Sequence, residues 1–136
     1  MSFSDAFEQN ILDHYFVNAA DGAAFTNATI YIALYIADPG ETGTAVTNEA
    51  TYTSYARVAV TKSTGLSRTG STISNVAIVA WPACTGGTNT VTHFGFVSSA
   101  SGAGTLLASG AFSASLAVST GITPQAAAGA LTVTLD

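Results

Sequence analysis

The chain has 136 residues, enough to bury a core without metal or disulfide staples, yet only 8% of them are charged. Eight acids face three cations, Arg57, Lys62 and Arg68, for a net charge of −5, so there is no basic patch to neutralise nucleic-acid phosphates or to grip an anionic membrane. No apolar run reaches the roughly 18 residues of a membrane-spanning helix, the first residues lack a signal-peptide pattern, and Cys84, the single cysteine, excludes an intrachain disulfide and is compatible with synthesis in a reducing cytosol.

The first twenty residues predict an amphipathic helix over 1–20. Ser2 or Ser4 stands at the N-cap, and Asp5 and Glu8 lie where the helix dipole favours negative charge. Phe3, Phe7 and Ile11 recur every fourth residue, and Leu12, Tyr15 and Phe16 widen the stripe. Asn18 to Gly22 closes the helix, with Gly22 suited to a left-handed end.

From residue 28 the pattern is β. Thr29 to Ala37 is apolar on both faces and predicts a central strand covered on both sides. Asp38, Pro39 and Gly40 form a turn, and Glu41 to Thr53 reads as a long surface loop. Tyr55 to Thr61 alternates as a strand, Gly65 to Ser71 is a turn region, and Ile73 to Trp81 is a further strand ended by Pro82. Gly86 and Gly87 turn the chain into the strand Thr90 to Val97, and Ser98 to Gly104 is a loop tip. Two short strands, Thr105 to Ser109 and Ala111 to Val118, follow; Gly121 to Ala128 is irregular or an edge, and Gly129 to Leu135 is a half-buried closing strand. The expected architecture is mainly β: a single domain over 1–136, with a jelly-roll-like β-sandwich over 28–136 behind the N-terminal helix.

The residues that could carry chemistry are isolated. His93 sits inside a strand and His14 on the helix, with no second ligand at metal spacing. Ser98, His93 and a distant Asp do not form a recognisable triad, and there is no nucleophile elbow. Asp38 and Glu41 are two acids around a turn, too few for calcium. Cys84 has no basic neighbour in sequence to activate it. No catalytic residue, metal site or cofactor is expected. Tyr31, Tyr35, Tyr52, Tyr55 and Trp81 raise a carbohydrate-stacking reading, but they fall at core-patterned positions. Arg57 is the charged residue that needs an explanation. Inside an alternating strand it is either a surface position with the guanidinium in water, or a member of an ion pair within or between subunits, with Asp13, Glu49 or Asp136 as candidate partners.

The charge level is far below the roughly 25% of an average soluble domain, and Ser, Thr, Asn, Ala and Gly take its place. Such a surface is easily desolvated, as expected of a subunit that lives against other subunits.

The segments MSFSDAFEQNILDHYF, YIALYIADPGETG, SYARVAVT, TVTHFGFV and AAAGALTVTLD together resemble a family of small tailed-bacteriophage virion proteins, often labelled tail fibre protein or hypothetical protein and similar to capsid decoration subunits. The resemblance spans nearly the whole chain and is weakest in the loops Glu41 to Thr53 and Gly65 to Asn75. It implies a non-enzymatic structural component on the exterior of a phage particle. The first expectation is a capsid cement protein, most simply a trimer, that clamps capsomer junctions through several contacts to the major capsid protein. The alternative is a tail fibre, tail-tip or baseplate component, and a further reading is a jelly-roll module that binds host glycans. Either way the expected contact surface is the stripe Phe3, Phe7, Ile11 and Phe16, together with Arg57.

Overall fold

The computed structural model describes residues 4–17 and 28–135, the side chains of Asp5 and Phe7 excepted. The helix α1 runs over Asp5–Leu12 and continues as a π-helical turn over Asp13–Val17. Ser4 holds the N-cap position with extended backbone, but its side chain makes no capping bond. Ser2, Phe3, the expected helix end over residues 18–22 and Asp136 lie outside the described residues.

Nine strands follow among the described residues: β1 Thr29–Tyr35, β2 Val58–Thr61, β3 Leu66–Thr69, β4 Thr72–Asn75, β5 Val79–Ala80, β6 Asn89–Val97, β7 Leu106–Val118, β8 Gln125–Ala126 and β9 Thr132–Thr134. One further helical turn, α2, covers Lys62–Gly65. The strands pair antiparallel throughout, as a four-stranded sheet β2-β1-β6-β7, a three-stranded sheet β3-β4-β9 and a two-stranded sheet β5-β8. The mainly β reading with a short N-terminal helix therefore holds.

The inner strand β1 is covered on both faces, as its composition predicts. Ile30, Ile32 and Leu34 enter the main core with Phe94 and Phe96 of β6, Ile73 of β4, Val79 of β5, Trp81, Leu131, Leu12 and Phe16. That core joins residues of all three sheets and of the helix. The alternate residues Ala33 and Tyr35 pack with Val97 and Ala45 in a second cluster on the opposite face, which follows from the two-residue period of a strand.

Several boundaries differ from the sequence reading, each for a local reason. The expected strand Tyr55 to Thr61 begins only at Val58, because Tyr55 and Arg57 are drawn into side-chain bonds described below. The expected turn over Gly65 to Ser71 is largely the strand β3, which forms a hairpin with β4 around Gly70 at φ +59°. The expected strand Ile73 to Trp81 is cut at Val76 into β4 and β5, which lie in different sheets. Asn75 makes the break: its Nδ2 donates to the carbonyls of Ala77 and Ala127, and its Oδ1 accepts from Leu131 N–H. Leu106–Val118 is one strand, not two. Gly110 does not end it, since the Phe94 ring occupies the space where a side chain would stand.

Candidate interaction site

Two features adjoin the four-stranded sheet: a docked helix with an apolar groove, and a clasped cluster of loops.

The helix packs on its own chain. Leu12 and Phe16 are buried, and the Phe16 ring meets Phe96 edge to face at 5.7 Å. Arg68 of β3 forks onto Asp13, with Nη2 to Oδ2 at 2.9 Å, and Ser71 donates to the buried Glu8 at 3.1 Å. Beside this contact runs a groove of about 270 Å³ between Ile11 and Tyr15 on the helix side and Leu107 of β7, Val133 of β9 and Leu135 just after it. Of the four stripe residues, Phe16 is turned into the core and Ile11 is half-buried in the groove. Phe3 and the Phe7 side chain lie outside the described residues.

Arg57 is almost fully enclosed, its side chain 2% exposed, and its guanidinium is saturated within the chain. Nε donates to Glu49 Oε1 at 2.7 Å and Nη2 to Glu49 Oε2 at 2.8 Å, a bidentate fork. Nη1 donates to the Ser99 carbonyl and hydroxyl at 2.9 and 3.0 Å, and Nη2 also reaches the Gly102 carbonyl at 2.9 Å and that of Ala45 at 3.3 Å. Glu49 is one of the three partners expected from the sequence; Asp13 instead pairs with Arg68. The Glu49 hydrogen bond raises the Arg57 pKa further, so this charge is permanent.

The network continues inward. Tyr55 Oη donates to Glu49 Oε1 at 2.9 Å and accepts from Leu34 N–H at 3.0 Å. Burial pushes the Tyr55 phenol far above its ordinary range. Tyr35 Oη donates to the Ala45 carbonyl at 3.1 Å, and burial, then the Glu49 carboxylate, raise its pKa to about 12. One acid, one guanidinium and two phenols thus tie the loop before β2 and the tip between β6 and β7 to the inner strand β1.

Two asparagines do similar work unseen in the sequence reading. Asn89 Oδ1 accepts from both Thr51 and Tyr52 N–H at 2.8 Å, and Asn75 holds the break between β4 and β5. The available signal was an Asn in or beside a strand, where an amide is disfavoured unless it binds backbone.

The aromatic candidates are mostly structural. Trp81 is buried and donates its indole N–H to the Ile32 carbonyl at 3.0 Å. Tyr35 and Tyr52 are buried, while Tyr31 and Tyr55 are half-buried, so these five do not form an exposed stacking platform. Burial raises the Tyr52 phenol to about 12 while its hydroxyl donates to the Pro82 carbonyl at 2.9 Å. Lys62 is buried at the end of β2, and desolvation lowers its pKa.

His93 Nδ1 pairs with the neighbouring Thr92 hydroxyl at 2.8 Å, and His14 packs edge-on to Tyr15. Ser98 Oγ accepts from Thr105 N–H at 2.9 Å, a loop bond. Asp38 Oδ1 caps Gly40 N–H at 2.9 Å, and Cys84 is buried with its thiol toward the Gly86 carbonyl. No group of three His, Cys, Asp or Glu side chains comes together among the described residues, and no described helix is long and apolar enough to cross a membrane.

These features are an apolar groove beside the docked helix and a hydrogen-bonded loop clasp. No curated protein matches the chain. A family model described as Gp80, Podophage GP4 fiber I protein gp80, matches residues 2–134, from before the helix to the end of β9. The chain therefore belongs to this fibre protein family of tailed-phage virions.

Proposed function

We propose that this protein is a structural, non-enzymatic subunit of a podophage tail fibre, carried on the outside of the particle as a homo-oligomer, most simply a trimer, and joined to another virion protein. The match of residues 2–134 to a fiber I protein family carries the reading. It favours the tail over the capsid, so the fibre alternative takes precedence over the cement role. The geometry suits a mechanical role, because the Arg57–Glu49 clasp fixes two loops to the central strand with charge-assisted bonds. A fibre subunit needs loops that keep their shape under load.

Counting copies per purified virion, together with gold-labelled antibody, tests this. A few copies located at the tail are expected. Hundreds of copies spread over the head would overturn the fibre reading and restore the cement role.

A further inference from the structure

The four-stranded sheet has two unlike edges. β2 is four residues long, with Arg57 just before it and Lys62 just after it. β7 is thirteen residues long, and no strand pairs with its outer edge among the described residues. Edge strands usually block strand addition with charge, proline, brevity or a bulge, and β7 has only the last of these.

Charge is distributed just as unevenly. Residues 69–135 contain no Asp, Glu, Lys or Arg. The first part of β7 is nonetheless guarded, because Leu106–Ser109 share a pocket with Asp38 and Glu41. Beyond Gly110 that guard ends. Ala111, Ser113, Ala114, Ser115 and Ala117 are exposed, with Phe112 and Leu116 half-buried between them. The pairing with β6 jumps from His93–Ala111 to Val91–Leu116, so residues 112–115 bulge opposite the single residue Thr92. The adjoining segments 85–90 and 119–123 are equally free of charge.

We infer that the distal half of β7, Ala111 to Ala117, is the surface through which copies of this chain meet. The occupant is a second copy because of charge. Each copy carries −5, so association is least opposed where no carboxylate is brought near another. The distal half of β7 meets that condition, and identical copies gathered about a shared symmetry axis supply the same uncharged surface to one another. Contact there completes the burial of Phe112 and Leu116. This inference rests on the fibre reading only for the expectation that copies assemble.

The test is sedimentation of the full-length protein and of the variants Ala114→Asp, Ser113→Lys and, as a control at an exposed position outside β7, Ser63→Asp. The wild type and Ser63→Asp are expected to self-associate alike. Ala114→Asp and Ser113→Lys each weaken association at least about tenfold with unchanged circular dichroism, since like charges are brought together. An equimolar mixture of Ala114→Asp and Ala114→Lys recovers association. A monomeric wild type, or charged variants that associate like the wild type, would overturn the inference. The fibre reading is judged separately, by location on the particle.

Discussion

Arg57 and Glu49 face each other through two parallel hydrogen bonds of 2.7 and 2.8 Å, with the guanidinium 2% and the carboxylate 14% exposed. A buried pair of this kind owes its value to completeness. Every Arg57 nitrogen has a partner, so removing either side chain strands the other away from water.

Arg57→Ala is therefore expected to cost about 3–5 kcal/mol, the range for breaking a buried ion pair by removing one partner. Arg57→Lys keeps the charge without the fork and recovers only part of the loss. Urea denaturation followed by the fluorescence of Trp81, the single tryptophan, measures both. A loss below about 1 kcal/mol for Arg57→Ala would mean that the pair behaves like an exposed one.

The docking of the helix onto its own sheet gives a second expectation. Phe16→Ala removes an enclosed ring that stacks edge-on to Phe96, and a loss of about 3–5 kcal/mol is typical of such a deletion. Amide exchange in 5–17 should accelerate more than in β1. A near-neutral result with unchanged exchange would show that the helix contributes little to the folded chain.

Alkaline pH should destabilise the protein through Tyr35 and Tyr52. Both phenols are raised to about 12 in the folded state, against about 10 in an unfolded chain. The folded state therefore holds these protons more tightly. Their contribution is fully present below about pH 10 and is lost as pH climbs towards 12. Denaturation midpoints should fall across that interval, and Tyr52→Phe should shrink the fall while removing one bond to Pro82. Equal slopes in wild type and Tyr52→Phe would exclude Tyr52 as a source.

Gly110 marks where β7 passes closest to the core. A methyl group there would stand 2.7 Å from Phe94 and 3.1 Å from the Thr132 carbonyl, with no flexible side-chain end to yield at the carbonyl. Gly110→Ala is expected to cost about 1–3 kcal/mol by overpacking, read from the same denaturation curves. A stabilising effect would mean that β7 shifts to accept the methyl group.

Much of the architecture follows from local pattern. The stripe at four-residue spacing specifies the helix. The short apolar run of Thr29–Tyr35, rich in β-branched and aromatic residues, specifies a strand buried on both faces. The family signature is likewise written along the chain, since it depends on residue order alone. The cation in an alternating strand marked Arg57 as a residue to explain, but left a solvated position and an ion pair both open; its burial and pairing came from the structure.

Which partner it took was decided only in three dimensions. Glu49, Ser99 and Gly102 lie up to 45 residues from Arg57, and their meeting depends on the course of the loops before β2 and after β6. The same holds where Asn75 splits one apolar run between two sheets, and where the Phe94 ring lets Gly110 stay within a strand. Composition and periodicity report the burial that each segment needs. The tertiary structure alone selects, among distant groups, those that satisfy the buried charges, amides and sheet edges of this protein.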